Sequence, residues 1–176
     1  MSLKHAILVL LEKEPGSGYD LVQRFNQGIG NFWNASHQQV YQQLKKLHAD
    51  LEVEYDLAPQ SGKPDRKVYR ITSSGLQELK RWLAASNEPA VVRDALLIKV
   101  FAADLADQSS LRDEIDRHRQ LHADKLAAHL AAEEKYLQQP AARQKAMRMP
   151  YMTLRLGIRY ERQWLEWLEE VQALFP

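Results

Sequence analysis

The sequence has no cysteine among its 176 residues, which excludes a disulfide scaffold and a cysteine-rich zinc site. It also lacks a long hydrophobic run. The N-terminal apolar stretch Ala6–Leu11 has six residues and meets Glu12-Lys13-Glu14, so it is too short for a signal peptide or a membrane span. These absences predict a folded protein of the reducing cytoplasm with no membrane association.

The common motifs of catalytic and nucleotide-binding sites are missing as well. No Gly-x-Ser-x-Gly, His-Glu-x-x-His or Walker sequence occurs. The segments "GSG" and "GIG" lack the third glycine of a dinucleotide-binding fingerprint, and neither follows a predicted strand. We therefore expect no enzyme and no cofactor.

Three histidines share one face of a long predicted helix, because His118, His122 and His129 recur at spacings of four and seven. The first two have the spacing of metal ligands on one helix turn. No cysteine accompanies them, and Glu133 is the nearest further ligand. We expect partly exposed structural histidines and no metal; a metal-dependent helical enzyme would require all three to be buried and to converge.

Positive charge is concentrated in one short segment, although the net charge of the chain is only +1. The range Leu57–Arg70 carries four cations and a single acid, as expected for a loop that contacts an anionic partner. A solvated turn is the alternative interpretation, and the last cation has a second candidate role in pairing with Glu52 or Glu54 across a hairpin. The four cations are Lys63, Arg66, Lys67 and Arg70.

The first half of the chain has the periodicity of three helices. An apolar first helix ends at Pro15-Gly16-Ser17-Gly18, and a second follows around Leu21–Phe25. Ser36 is the candidate N-cap of the third helix. The apolar stripe expected on that helix comprises Val40, Leu44, Leu47 and Leu51.

Two alternating segments, "EVEYDLA" and "KVYRIT", predict strands joined by the turn-rich "PQSGKPDR". They pair most simply as a hairpin with a basic tip. Thr72 or Ser73 then caps a helix that runs through Leu83. Three helices followed by such a hairpin form a winged helix-turn-helix.

The remainder of the sequence predicts helices only. Asn87-Glu88-Pro89 is the best domain boundary, because the helical pattern ends there and a proline follows. It separates the predicted domains 1–86 and 90–176. The helices expected beyond it span Arg93–Leu105, a segment capped by Ser109 or Ser110 that reaches about Gln139, and a segment from about Pro150 to Phe175. The fold class is mainly α with a small β-hairpin.

The third helix and the hairpin tip are the candidate DNA-binding elements. Glutamine and lysine side chains of a helix can meet base edges in the major groove, and the cations of a wing can meet phosphates or the minor groove. The predicted contacts are Ser36, His37, Gln38, Tyr41, Gln42 and Lys45 of the helix, with Lys63, Arg66 and Lys67 of the wing.

Three segments within about the first 85 residues share a pattern with a known family: "AILVLLEKEPGSGYDLVQRF", "SHQQVYQQLKKL" and "GKPDRKVYRITSSGLQELKRWL". Together they resemble the PadR family of bacterial transcriptional regulators. The resemblance implies a dimeric repressor or activator on a near-palindromic operator, with dimerisation through C-terminal helices. The sequence departs from the family at Leu51, where a glycine is usual, so we expect the third helix to end by a different turn.

The last helix independently predicts a dimer, because its apolar face is wider than one packing partner needs. The alternative is packing against the chain's own Arg93–Leu105 helix. The candidate dimerisation residues are Leu154, Ile158, Tyr160, Trp164, Leu165, Trp167, Leu168 and Val171.

A small aromatic effector is a further expected partner. The aromatic side chains expected to line its pocket between the domains are Tyr19, Phe32, Trp33, Tyr151, Trp164 and Trp167. The alternative is that these aromatic side chains belong to the core or to an interface. The rival hypothesis for the whole chain is a winged-helix protein-interaction module that does not bind DNA. Acidity around the third helix and wing would favour it, whereas the acids lie only in the strand between them.

Overall fold

A computed structural model describes residues 3–27, 35–59, 65–89 and 91–175. The chain divides into two compact units, Met1–Glu88 and Pro89–Pro176. Within the described ranges, no helix combines the length and the apolar character that a membrane crossing requires.

The first unit is a winged helix-turn-helix with four helices and a small sheet. Its core joins buried apolar side chains of the first three helices to Val53 and Tyr69 of the sheet, which confirms the predicted fold class. The elements are α1 (Leu3–Lys13), β1 (Gly16–Ser17), α2 (Gly18–Gln27), α3 (His37–Ala49), β2 (Val53–Ala58), β3 (Arg66–Ile71) and α4 (Ser73–Ala84).

The sheet has three antiparallel strands in the order β1-β3-β2, one more than the sequence predicted. The two predicted strands pair as expected, with Tyr55 opposite Tyr69. The additional strand, β1, has only two residues, and its Ser17 lies opposite Val68. A strand of two residues is too short to show the alternating apolar and polar pattern of a strand. It forms because the surrounding fold places it beside β3.

Helix α3 begins as predicted. Ser36 is its N-cap, and the cap is reciprocal because the Ser36 hydroxyl accepts from the backbone N–H of Gln39 while the Gln39 side chain accepts from the backbone N–H of Ser36. Val40, Leu44 and Leu47 are buried on the core side.

The end of α3 corrects two expectations. Leu51 is not part of the helical stripe, because the helix ends before it and its side chain is 72% exposed. Its φ of 58° is the left-handed conformation that glycine favours. The N–H of Glu52 donates to the Leu47 carbonyl, and that of Leu51 to the His48 carbonyl. This is the Schellman turn that usually requires glycine, so the turn is retained and leucine adopts its strained conformation.

Helix α4 is fixed to the end of that turn. Thr72 caps the helix by accepting from the N–H of Gly75, and its hydroxyl donates to the carbonyl of Leu51 at 2.8 Å. A Cβ atom on Gly75 would lie 2.1 Å from the backbone oxygen of Glu52. Only glycine permits this approach of the two backbones.

The second unit is entirely helical in its described residues, and several predicted limits are wrong. The segment expected as one helix ends its α-helical part at Phe101 and continues as a 3₁₀ turn, Ala103–Leu105. Asp107 caps the next helix by accepting from the N–H of Ser110, in place of the predicted serine caps. The elements are α5 (Ala95–Phe101), α6 (Gln108–Leu137), α7 (Ala141–Ala146) and α8 (Arg148–Gln172).

Helices α6 and α8 pack antiparallel. Asp116 near the start of α6 accepts from Gln172 at the end of α8 at 3.0 Å, while Glu133 near the end of α6 accepts from Tyr151 near the start of α8 at 2.7 Å. A buried apolar cluster fills one part of the seam between them. Its members are Leu96, Leu111, Ile115, Trp164, Leu168 and Val171.

Candidate nucleic-acid interface

The exposed face of α3 is polar and free of acid. Between Ser36 and Ala49 the sequence has no aspartate or glutamate, and the stripe buried beneath the helix holds this face outward. The predicted contact residues on this helix are all exposed: Ser36, His37, Gln38, Tyr41, Gln42 and Lys45. Amide, imidazole and ammonium groups in this arrangement can donate to bases and phosphates without repelling them.

Two of these side chains also have structural contacts. The Ser36 hydroxyl is engaged in the N-cap. The ring of Tyr41 lies against the first turn of α2, because a Cβ atom on Gly18 would lie 2.4 Å from the Tyr41 Cε1 atom. Tyr41 is nevertheless 44% exposed, so one edge of its ring is available beside the polar face.

Arg66, at the start of β3, is held by an ion pair. Its Nη2 atom lies 2.6 Å from Oδ2 of Asp20 in the first turn of α2. Partial burial acts to raise the pKa of Asp20, but hydrogen bonds from Ser17 and the positive charges of Arg66 and Arg24 outweigh it and lower that pKa. The carboxylate is therefore ionised at neutral pH.

Lys67 lies over an aromatic ring of the neighbouring strand, with its Nζ atom 4.1 Å from the centre of the Tyr55 ring. Its hydrogen bond with Tyr55 raises the pKa of Lys67. The same tyrosine contacts Tyr69 edge to face, at 5.4 Å between ring centres. The cation–π contact therefore holds the ammonium group of Lys67 against the sheet.

Arg70 is paired across the hairpin, as one of its predicted roles required. It donates to Glu54 at 2.8 Å and meets both carboxylate oxygens of Asp56, at 2.7 and 2.9 Å. Hydrogen bonding to Glu54 and then to Asp56 raises the pKa of Arg70. The other predicted partner, Glu52, pairs with Lys4 instead.

The number of cationic side chains in the wing sequence thus overstates the positive charge that is available to a partner. Each of the three described cations has a partner within the chain, and Lys63 lies outside the described residues. Asp20 and Tyr55, which hold two of these cations, were absent from the residues predicted for the site. The only sequence signal for Asp20 is its place in the "GYDL" motif, which indicates no role by itself.

Two of the three histidines of α6 are more buried than predicted, whereas His118 is partly exposed as expected. His122 and His129 are both buried; the former contacts Oε2 of buried Glu161 at 2.5 Å and stacks on the ring of Trp164. The Nε2 atom of His129 has no hydrogen-bond partner among the described residues. The described ranges hold no group of three or more carboxylate or imidazole side chains suited to a metal.

The predicted dimerisation residues divide into two groups. Ile158, Trp164, Leu168 and Val171 are buried within the second unit itself, mainly against α6. The four others remain exposed or half-buried: Leu154, Tyr160, Leu165 and Trp167. The most exposed apolar side chains of this unit lie elsewhere, on α5 and the turn after it, where Phe101 is 94% and Leu105 is 91% exposed.

The aromatic residues expected to line an effector pocket belong partly to the first unit and partly to the second. Phe32 and Trp33 lie outside the described residues, Tyr19 is exposed on α2, and Tyr151 stacks on Tyr136. Within the second unit, however, Trp164 and Trp167 border a cavity of about 260 Å³. Its lining comprises Val92, Leu97, Tyr160, Gln163, Trp164 and Trp167.

The fold and the polar third helix define a winged-helix transcriptional regulator, and comparison with known proteins identifies its family. Residues 7–81 match the transcriptional regulator PadR-like family, and residues 92–175 match the virulence activator alpha C-term family. The chain is 35% identical to the probable transcriptional regulator Rv1176c of Mycobacterium tuberculosis over 97% of this chain and 96% of that protein. It belongs to the PadR-like family of transcriptional regulators, which confirms the resemblance.

Two solved relatives extend the similarity over both units. The negative transcriptional regulator PadR of Bacillus subtilis is 31% identical over 98% of this chain and 96% of that protein. Its crystal structure with operator DNA has a TM-score of 0.83 and covers 99% of both chains; another holds p-coumaric acid. The virulence activator AphA of Vibrio cholerae has a TM-score of 0.81 at 30% identity, covering 98% of this chain and 96% of that one.

Proposed function

We propose that the chain is a homodimeric repressor that binds a near-palindromic operator, with α3 in the major groove and the β2–β3 wing on the DNA backbone. The observation that carries this proposal is the acid-free, exposed face of α3, held outward on a buried stripe. Similarity over the whole chain to a relative solved with operator DNA supports it. The function requires binding and no catalysis.

Selection of duplexes from a random DNA library tests this proposal, followed by fluorescence anisotropy on the enriched duplex across a salt series. If the dimer meets roughly 6 phosphates, the slope of log K against log salt should be on the order of −5. Failure to enrich any sequence, or a flat salt response, would exclude this mechanism. Either result would favour the interaction-module hypothesis, for which the internal pairing of the wing cations is the supporting observation.

The DNA-contacting residues follow from this arrangement. Gln38 and Gln42 are placed to read bases, whereas His37, Lys45 and the wing cations contribute chiefly to phosphate binding. Arg66 and Lys67 reach DNA from the positions in which Asp20 and Tyr55 hold them. Lys63 contributes from the tip of the wing as a sequence-based prediction.

The second unit supplies the dimer contact. We place it on the exposed apolar side chains of α5 and the 3₁₀ turn, Ile98, Phe101 and Leu105, together with the half-buried flank of α8 that includes Trp167. Leaving such large side chains in water is unfavourable, and a symmetric partner can cover them. Three of the four predicted residues that are buried inside the unit, Trp164, Leu168 and Val171, pack in the apolar cluster that also contains Leu96 of α5.

Light scattering coupled to size exclusion tests this assignment. Phe101→Glu should shift the protein from dimer to monomer while its helix content is retained, because a carboxylate would replace an aromatic ring in the interface. Leu83→Glu is the matched control, since Leu83 is also exposed but lies on α4 of the first unit. A monomeric wild type, or a Phe101→Glu variant that stays dimeric, would contradict it.

A small aromatic effector fits the cavity beside Trp164 and Trp167. The two indoles meet edge to face at 5.3 Å, and the back of Trp164 is fixed by stacking on His122. Such a preformed wall suits a planar ring. Because none of its lining residues is charged, an uncharged ring should bind better than an aromatic carboxylate.

Quenching of tryptophan fluorescence tests this binding, with p-coumaric acid and its methyl ester as probes. The ester should bind more tightly, and Tyr160→Ala should weaken it, whereas Leu174→Ala at an exposed site outside the cavity lining should not. No saturable quenching by either probe would remove the effector from the proposal.

A further inference from the structure

We propose that Asp20 is the residue that positions the wing for DNA, acting through Arg66 and without contacting DNA itself. This inference rests on the proposed DNA-binding function. Asp20 is a carboxylate beside the proposed DNA-binding surface, where repulsion by phosphates would disfavour a negative charge.

Asp20 is the point at which α2 is joined to the sheet. Its Oδ2 atom accepts from the backbone N–H of Ser17 at 2.9 Å, from the Ser17 hydroxyl at 3.0 Å and from Arg66 at 2.6 Å. Ser17 caps α2 and also lies opposite Val68 in β3. The carboxylate therefore ties the first residue of β3 to the same turn that begins α2.

The other side of that turn contacts the recognition helix, because the Tyr41 ring of α3 lies directly on Gly18. The first turn of α2 is thus the common support of α3 and of the wing's return strand. The angle between these two elements decides whether bases and backbone can be contacted at once. The ion pair of Asp20 and Arg66 fixes one of these elements, the return strand β3, to the first turn of α2.

The alternative is that Asp20 merely neutralises a phosphate-binding arginine. The exposure of the two groups argues against it. The Asp20 side chain is 26% exposed, whereas the Arg66 side chain is 44% exposed, and its guanidinium has five donors. Arg66 can therefore meet a phosphate while the pair stays formed, with Asp20 turned toward Ser17.

The two accounts predict opposite signs, so one variant separates them. Removing the charge in Asp20→Asn should strengthen DNA binding if Asp20 only neutralises Arg66, because an anion near the phosphates is lost. If Asp20 positions the wing, the same variant should weaken binding by about fivefold, the scale of a partly exposed charge pair.

A double-mutant cycle with Arg66→Gln shows whether the effect passes through the pair. We expect Asp20→Asn to change affinity by less than about twofold when Arg66 is already replaced. Glu78→Gln is the matched control: it also removes a paired carboxylate of the first unit and lowers the melting temperature, but the partners of Glu78 are Lys4 and His5 of α1 and Arg81 of α4. This variant should bind DNA as the wild type does.

The measurement is anisotropy of the full chain on the duplex enriched by the wild type from a random library, with circular dichroism melts of each variant. Weakened binding by Asp20→Asn that disappears in the Arg66→Gln background would support the inference. Equal or tighter binding by Asp20→Asn, or an equal loss in Glu78→Gln, would overturn it while leaving the proposed function standing. If the wild type enriches no duplex, the proposed function fails and the inference fails with it.

Discussion

The ring of Tyr41 occupies the space that a side chain on Gly18 would need, with only 2.4 Å between the Tyr41 Cε1 atom and the position of such a Cβ. The contact joins the recognition helix to the first turn of α2. It gives a packing reason for the glycine of the "GYDL" motif.

Gly18→Ala should therefore displace the Tyr41 ring. Because the ring is partly exposed, it can move at a modest cost in folding free energy, about 1 kcal/mol. DNA affinity should fall by more than this loss of stability explains, since the ring borders the contact face. Urea unfolding and anisotropy on the same samples measure the two effects.

Tyr41→Ala provides the control for this prediction. In the Tyr41→Ala variant the methyl group added by Gly18→Ala has no ring to displace. Gly18→Ala should therefore cause little further loss of stability or DNA affinity. A full additional penalty in the double variant would show that the glycine is needed for another reason.

Leu51→Gly should stabilise the first unit. Leucine at φ 58° is strained by about 1 kcal/mol or more, and its exposed side chain contributes little burial. The greater freedom of glycine in the unfolded chain offsets part of this gain, so we expect a net increase of about 0.5 kcal/mol in the free energy of unfolding. Chemical denaturation monitored by circular dichroism measures it.

Leu57→Gly is the matched control for that substitution. Leu57 is also an exposed leucine, but it lies in β2, and among the described residues other than glycine only Leu51 has a positive φ. The control should destabilise the unit. Destabilisation by both variants would show that the Leu51 conformation carries no recoverable strain.

Glu78 should make the first unit sensitive to acid. Hydrogen bonds from Arg81 first, then from His5 and Lys4, lower the pKa of Glu78 from 4.5 to about 2. A carboxylate whose pKa is lower in the folded than in the unfolded state stabilises the folded protein when the pH is above its unfolded-state pKa. That stabilisation is lost as the pH falls from about 4.5 to about 2. Glu78→Gln should therefore reduce stability at pH 7 and show less further loss on acidification than the wild type.

Thermal melts at pH 7, 4 and 3 check this dependence. Glu114→Gln is a useful comparison, because the pKa of Glu114 is likewise lowered to about 2, by Arg117 and then Lys99, but in the second unit. Melts of wild type and Glu78→Gln that run parallel over this pH range would contradict the assignment.

Much of the first unit could be predicted from local sequence signals. The Ser36 cap, the buried stripe from Val40 to Leu47 and the two hairpin strands each depend on residues close in sequence, where period and capping chemistry are informative. The missed features depend on distant residues. The strand β1 exists because β3 lies beside it, and Arg66 is held by Asp20 from 46 positions earlier.

The second unit shows a different limit. Its long helices were predicted, but the apolar pattern did not reveal that His122 and His129 of α6 are buried against α8. Histidine occurs at both buried and exposed positions, so the sequence alone does not indicate its burial. The partner that makes burial of His122 acceptable is Glu161, 39 residues away. Four of the eight residues predicted for dimerisation are also buried within this unit, and their role in dimerisation stays a prediction.

Replacing Gln42 shows whether α3 reads operator sequence. Parallel selections from one random duplex library should be run with the wild type, Gln42→Ala and Gln77→Ala, an exposed glutamine on α4. We predict that Gln42→Ala loses preference at one base position per half-site, worth about 1–3 kcal/mol of discrimination, while Gln77→Ala matches the wild type. An enriched sequence that is identical for wild type and Gln42→Ala would contradict the account.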